Sequence, residues 1–205
     1  MALSYPLDQP TGIGIAQIEL RAVNAVATSQ SPFTFKQQVV SHQGQRWEAS
    51  VSIPSVRRDL AAPWKNMLVG LKGPTGTFLM GDPDYATPIG TLISNGDSIT
   101  ATATGSAGDD DVTITMTSGT DTLLAGDYIQ LGTGSEAKLH QILSDITGTG
   151  QVDIWPNLRT DYTAETVITT SPKGVFRLKE NISSWSINNS SFYGISFEAV
   201  EAITG

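Results

Sequence analysis

The chain opens with alternating apolar and polar positions. Apolar residues alternate at Ile13 and Ile15, and the alternation resumes at Ile18 one residue out of phase. A β-bulge near Ala16 would produce that shift, because a bulge inserts one extra residue into a strand. The pattern therefore predicts a strand from Ile13 to Val26.

The same two-residue period lies on both sides of a polar, turn-like segment at Ser41–Gln45. Phe33, Phe35 and Val39 share one phase before that segment, and apolar residues alternate from Trp47 to Ile53 after it. Successive side chains of a strand point to opposite faces, so each run has one apolar face. We predict a β-hairpin over this stretch, with one buried face and one polar face.

Residues 59–71 break the β pattern with a helical period. Apolar side chains three and four residues apart fall on one face of such a helix. Asp59 is the predicted N-cap, and Pro63 is tolerated inside the first turn. We predict one short helix laid over a sheet, followed by a strand at Phe78–Met80. The apolar face consists of Leu60, Trp64, Met67, Leu68 and Leu71.

The composition and the strand pattern of the chain change after Gly90. Up to about Ser171, Thr and Gly are abundant, and short strand-like runs are separated by turn residues. Five short strands at this spacing predict a small barrel or sandwich, of the five-stranded oligonucleotide/oligosaccharide-binding (OB) type. The predicted strands are Ser98–Thr104, Val112–Met116, Tyr128–Leu131, Lys138–Leu143 and Val152–Trp155.

Alternation returns in the last part of the chain, at Val175–Leu178, Ser184–Ile187 and from Tyr193 to Ala199. Because the first and last parts share one pattern and the middle differs, we predict a domain inserted into another. The predicted fold class is all-β with one short helix. The host domain is predicted to consist of residues 1–89 and 172–205, and the inserted OB-like domain of residues 90–171.

The composition of the chain argues against several classes of function. The 205 residues include 20 acidic and 12 basic side chains, for a formal net charge of −8. Nucleic-acid binding needs clustered Lys and Arg to neutralise phosphates, so we expect no nucleic-acid recognition. The absence of cysteine excludes zinc–thiolate sites and cysteine nucleophiles. No apolar stretch approaches the length that spans a bilayer, so no membrane insertion is expected.

Candidate metal ligands are few. The two histidines, His42 and His140, share no ligand spacing, and we expect His42 to be solvated in the predicted hairpin turn. Asp109, Asp110 and Asp111 offer the clustered carboxylate oxygens that calcium prefers. Consecutive residues of an extended chain point in opposite directions, however, so we interpret this run as an acidic hairpin tip. No metal site is predicted.

The sequence supports no catalytic constellation. Nucleophilic catalysis needs a Ser or Thr beside a base, and there is no Gly-x-Ser-x-Gly elbow. The carboxylate pairs that a glycosidase would need can be nominated, as Asp82 with Asp84 or Asp153 with Asp161, but each is ordinary turn chemistry. We therefore predict no catalytic residues, no cofactor and no enzymatic activity. The sequence does not identify the residues that bind a partner.

The tryptophans raise an alternative function. Trp47 and Trp64 fall on the predicted buried faces, where core packing is the default. Trp155 precedes a proline at the end of a predicted strand of the insertion, and only this tryptophan is considered for an exposed role. An exposed Trp155 with nearby polar loops would make the insertion a carbohydrate-binding module that contacts the host cell surface.

Three stretches of the chain carry a family resemblance. The first runs from Tyr5 to Val23 and opens with Tyr-Pro-Leu-Asp-Gln-Pro-Thr-Gly. The second comprises Ala125–Leu131, Leu139–Leu143 and Gly150–Arg159, and the third comprises Pro172–Leu178 and Asn188–Phe197. In this order, over nearly the whole chain, they resemble the distal tail protein of long-tailed siphophages, in its short form with a barrel-like insertion.

The resemblance implies a β-sandwich ring domain, an inserted OB-type barrel and a homo-hexameric ring. It implies a place in the virion at the distal end of the phage tail, as an adaptor between the tail tube protein and the tail-tip hub protein of the baseplate. Some members also carry side tail fibres. We expect the hairpin at Phe33–Ile53 to belong to the ring domain and the insertion to face outward. The N-terminus lacks a basic and an apolar segment, which predicts synthesis and assembly in the host cytoplasm.

Overall fold

The computed structural model describes residues 3–97 and 100–203. Within them the fold is all-β with one α-helix and a small closed barrel, which confirms the predicted fold class. Ser98 and Ile99, the first two residues of one predicted strand, lie outside the described residues.

The described strands lie close to the predicted ones in the second half of the chain and differ from them in the first half. Helix α1 spans Arg58–Leu71, and short 3₁₀ turns lie at Gly73–Thr75 and Gly134–Glu136. In chain order the strands are β1 (Gln17–Gln30), β2 (Gln37–Arg57), β3 (Thr77–Met80), β4 (Ala101–Gly105), β5 (Asp111–Met116), β6 (Thr122–Leu123), β7 (Tyr128–Leu131), β8 (Lys138–Ile142), β9 (Ile146–Thr147), β10 (Gly150–Trp155), β11 (Tyr162–Ile168), β12 (Gly174–Leu178), β13 (Trp185–Ile187) and β14 (Phe192–Glu201).

The first and last parts of the chain form one antiparallel sheet. Its strand order is β1-β2-β14-β12-β3, and β13 pairs with β14 off this path. Trp64 and Leu68 of α1 are buried in one cluster with Phe78 and Phe176 of the sheet. In the described residues the helix, and not a second sheet, therefore closes this core, whereas the resemblance implied a sandwich.

Helix α1 confirms the predicted helix to within one residue at its start. The predicted core residues of this helix are buried except Leu60, which is exposed. Arg57 occupies the N-cap position instead of Asp59 and makes no side-chain cap hydrogen bond. Asp59 lies in the first turn, where a negative charge interacts favourably with the helix dipole. No helix in the described part of the chain has the length and apolar character that a bilayer crossing needs.

The middle of the chain forms the closed barrel, with strand order β10-β5-β4-β11-β7-β8. Five of these six strands correspond to predicted strands, and β11 was not predicted. In β11 the register shifts between Tyr162 and Glu165, and Ala164 has a left-handed φ of 54°, so the alternation is interrupted. All barrel strands lie between residues 101 and 168. The division into domains at residues 90 and 171 stays a prediction.

The predicted hairpin at Phe33–Ile53 is wrong. Strand β2 continues through Ser41–Gln45 without a turn, and its partner in the hairpin is β1, with Gln30 paired to Gln37. The turn is therefore at residues 31–36, where Phe33 and Phe35 are 91% and 73% exposed. The predicted bulge near Ala16 is also misplaced, because the register shift lies between Asn24 and Val26.

His140 lies on β8 inside the barrel and is fully buried. Its Nδ1 lies 2.7 Å from the carbonyl oxygen of Pro156 and donates to it, while Nε2 has no hydrogen-bond partner. Burial lowers the pKa of His140 to about 4, and the nearby charges of Arg159 and Lys138 act in the same direction. The hydrogen bond to Pro156 opposes this effect only in part. His140 is therefore neutral in the folded chain at neutral pH.

His140 predicts a pH dependence of stability. Its pKa is near 6.5 in the unfolded chain and about 4 in the folded chain. Between these values the unfolded state binds more protons, so the stability is fully present above about pH 6.5 and is lost as the pH falls toward 4. Going from about pH 7 to about pH 5, we expect this residue alone to remove roughly 2 kcal/mol from the free energy of unfolding.

The measurement is urea unfolding at both pH values, in the wild type and in His140→Asn. Asparagine keeps a donor near Pro156 but does not titrate in this range. The variant should lose about 2 kcal/mol less than the wild type over the same pH interval. Equal losses in the two proteins would contradict the assignment.

Candidate assembly interface

Strands β1 and β2 continue beyond the sheet as a two-stranded ribbon. Strand β14 pairs with β2 only from Glu48 onward, so the part of β2 before that residue pairs with β1 alone. Every residue from Asn24 to Gly44 is exposed except Ser31, which is half-buried. We call residues 24–44 the arm.

The arm carries apolar side chains that contact no core. Val39 and Val40 are exposed neighbours on β2 and point to opposite faces of the ribbon. On one face, Val39 is opposite Thr28 and diagonal to the exposed Val26. On the other face, Val40 is opposite Ala27, so each face carries a small exposed apolar patch. An isolated two-stranded hairpin is marginally stable in water at best. A long ribbon with exposed Val and Phe is therefore typical of a segment that packs against a partner.

The edges of the arm are also unprotected. Natural sheets blunt exposed edges with charged residues or proline. Between Asn24 and Gln45 the sequence has no acidic residue, and Lys36 is its one Lys or Arg. The described residues include no strand that pairs with the outer edge of β1. Backbone N–H and C=O groups along this edge are thus available for pairing with another chain.

The tip of the arm is held in one conformation. The Ser31 N–H donates to the Lys36 carbonyl at 3.0 Å, and the Phe35 N–H donates to the Ser31 carbonyl at 2.9 Å. Phe35 has a φ of 55°, a left-handed conformation that bulky residues rarely adopt. Backbone strain of this kind is typical of functional sites. Here the strained loop holds the phenyl rings of Phe33 and Phe35 in solvent.

The base of the arm is bonded to the barrel on both strands. Trp155 Nε1 donates to Asn24 Oδ1 at 2.8 Å on β1. The Asn157 N–H donates to Gln45 Oε1 at 2.7 Å on β2, and the Arg159 guanidinium donates to the Gln45 carbonyl. These contacts fix the direction in which the arm leaves the molecule.

Behind the base, Trp47 joins the sheet to the barrel. Its indole Nε1 donates to the Leu139 carbonyl of β8 at 3.0 Å, and its ring meets that of Trp155 edge to face at 4.4 Å. Its backbone N–H donates to Glu201 Oε2 at 3.0 Å, where the strand β14 ends. Arg159 forms a 3.2 Å ion pair with the same carboxylate. We call this cluster (Trp47, Leu139, Trp155, Arg159 and Glu201) the seam.

On the open face of the sheet, charged side chains form ion pairs with one another. Glu48 accepts from Arg46 at 2.6 Å and from Lys179 at 3.2 Å, and Lys179 also pairs with Glu198 at 3.1 Å. The hydrogen bond from Arg46 lowers the pKa of Glu48, as does that from Lys179. The exposed pair of Lys179 and Glu198 contributes little stability, whereas the carboxylate of Glu48 is buried and has both Arg46 and Lys179 as partners.

The structure places the candidate metal ligands apart. His42 is exposed on β2 of the arm and not in a turn. Asp109 lies in the loop between β4 and β5, where its carboxylate accepts from the Ser106 N–H at 2.9 Å. This confirms the acidic hairpin tip. Among the described residues, no group of three His, Asp or Glu side chains is close enough to hold a metal ion.

The nominated carboxylates have structural roles. Asp82 Oδ1 accepts from the Asp84 N–H at 3.0 Å, and Asp161 Oδ1 accepts from the Ala107 N–H at 2.8 Å. Trp47 and Trp64 are buried, as predicted. Trp155 is half-buried; its ring packs at right angles to that of Trp47, and its N–H donates to Asn24. Its indole donor is therefore already used within the chain, and the carbohydrate-binding alternative stays a prediction.

Neither family models nor curated proteins provide a match to this chain.

Substitution of Trp47 by phenylalanine tests the seam. Phenylalanine keeps an aromatic ring but leaves the buried Leu139 carbonyl without its donor, so we expect the free energy of unfolding to fall by about 1–3 kcal/mol. Urea unfolding measures this loss. Trp64→Phe is the matched control, because its indole bond to Ile13 is longer, at 3.3 Å, and part-exposed. A Trp47→Phe protein as stable as the wild type would contradict the role of the seam.

Proposed function

We propose that this chain is a non-enzymatic structural subunit of a phage tail tip, which assembles with copies of itself into a ring. The ring is an adaptor between the tail tube and the tail-tip hub. The observation that carries the self-assembly is the arm, which is exposed from Asn24 to Gly44 except at Ser31 and extends beyond the packed sheet as an uncovered two-stranded ribbon.

The extent of the arm suits a specific interface. One side of a stable protein–protein interface involves roughly 20–30 residues, and the arm, residues 24–44, is exposed along its whole length except at Ser31. The seam fixes its direction relative to the sheet, so the entropic cost of ordering it on a partner is small. An arm that contacts a different surface of the next copy makes a heterologous contact, which generates a ring when the rotation closes.

The resemblance in layout supports the tail tip over other ring assemblies. It extends from Tyr5 to Phe197. The barrel between two parts of one sheet supports it, whereas the sandwich that it also implied is not found in the described residues. Homo-hexamer stoichiometry is proposed from the resemblance alone. The net charge of −8 also suits a channel through which DNA passes, because like charges repel and the genome is not retained.

Substitution of the tip phenylalanines tests this function. We expect the wild type to form a closed ring of defined mass with a central channel that admits duplex DNA, measured by native mass spectrometry and electron microscopy. Phe33→Ser with Phe35→Ser should remain monomeric. Both side chains are exposed, so the monomer should keep its free energy of unfolding within about 0.5 kcal/mol.

The matched control is Leu143→Ser, which removes an exposed apolar side chain from the barrel end of the molecule. It should form rings like the wild type. A wild-type chain that stays monomeric at about 100 μM, far above the Kd of a standard interface, would contradict the proposal. Rings formed by the double variant would show that the arm is not the contact.

A further inference from the structure

A small apolar groove lies at the base of the arm. It has a volume of about 270 Å³ and is lined by Val23, Ala25, Gly44 and Ile203, among others. The register shift between Asn24 and Val26 leaves Ala25 without a partner on β2. Added to Gly44, a Cβ atom would lie 3.0 Å from the Ala25 Cβ. The bulge and the glycine together therefore keep this spot concave.

The groove is unoccupied by the described part of the chain, and its lining also includes Asn24, Gln45 and Arg46. Ile203 is 49% exposed beside it, past the end of β14. A solvent-exposed isoleucine at the rim of a concave apolar surface is typical of a binding site. Arg46, the charged residue of the lining, is already paired with Glu48 at 2.6 Å.

The tip of the arm offers a matching apolar group. Phe33 is 91% exposed, and the loop around it is fixed by the hydrogen bonds between Ser31, Phe35 and Lys36. It cannot reach the groove of its own chain. The ladder from Val26 to Gln30 alone spans roughly 14 Å at about 3.4 Å per residue, and the ribbon is held extended along it.

We propose that Phe33 of one copy inserts into the arm-base groove of a second copy. This rests on the self-assembly proposed above and names the receiving surface. Each copy has one tip and one groove on different surfaces, so the contact is heterologous and repeats from copy to copy until a ring closes.

Charge favours a second copy as the occupant. The arm has no carboxylate and carries the one positive charge of Lys36, so the remainder of the chain has a net charge of −9 (−8 minus +1). An arm that lacks acidic residues avoids the repulsion that two such acidic molecules would otherwise experience on contact.

Engineered cysteines test this contact, because the natural chain has no cysteine. Chains with Thr34→Cys, an exposed tip position that leaves Phe33 intact, and chains with Ile203→Cys are mixed under oxidising conditions. We expect a disulfide-linked dimer of one chain of each kind, since a disulfide requires the two Cα atoms to lie about 4.4–6.8 Å apart. A chain that carries both substitutions should give a ladder of covalent oligomers that ends at the ring.

The matched control replaces Ile203→Cys by Leu143→Cys, an equally exposed position on the barrel. The yield with Ile203→Cys should exceed the control by at least about tenfold, because contacting positions have a high effective concentration. Ala25→Trp, which fills the groove, should abolish the rings while the far-ultraviolet circular dichroism of the chain is unchanged.

The outcomes separate the two proposals. Wild-type rings with no Thr34→Cys to Ile203→Cys crosslink above the control overturn the groove and leave the ring function standing. Absence of wild-type rings at any concentration overturns both.

Discussion

The buried carboxylate of Glu201 is the contact on which the arrangement of this molecule depends. It accepts from the backbone N–H of Trp47, just where β14 stops pairing with β2, and from Arg159 of the segment that follows the barrel strand β10. One side chain thus continues the sheet ladder, holds the barrel and supports the base of the arm. Removing a partner from such a buried pair is costly because the remaining charge stays desolvated. The relative position of sheet and barrel is therefore specified by a few polar atoms within an otherwise apolar contact.

The two ends of the β1–β2 pair differ in burial: one end is covered by a core and the other is not. Near Ala49 and Val51 the strands are covered by α1 and by the aromatic cluster. Alternate side chains therefore point into the core and away from it. Past Asn24 nothing covers either face, and the same backbone pairing continues without a core. Backbone hydrogen bonds alone give modest net stability. The arm keeps its shape because its base is bonded and its tip is closed by a tight loop, which leaves its surfaces free for another molecule.

Sequence patterns predicted those elements whose local period matched their burial. The helix was predictable because Trp64, Leu68 and Leu71 lie on one face and are buried together. Most barrel strands were found because turn residues flank them, whereas β11 was missed where a left-handed Ala164 interrupts its alternation. The arm was misread because Phe33 and Phe35 share the phase of a strand but lie in its loop. A run with no large apolar residue from Ala27 to Pro32, and with no carboxylate, was the available signal of an uncovered ribbon.

Strand β2 has a mechanical consequence. It is one unbroken element from Gln37 in the arm, past Trp47, to Arg57, and α1 begins at the next residue. A pull on the tip acts along the axes of β1 and β2 together, because the tip loop joins them, so the ladder between β2 and β14 is loaded in shear, with many hydrogen bonds sharing the force at once. Peeling would break such bonds one after another. Tension on the arm is thus carried through β2 to β14, the middle strand in the order of the sheet.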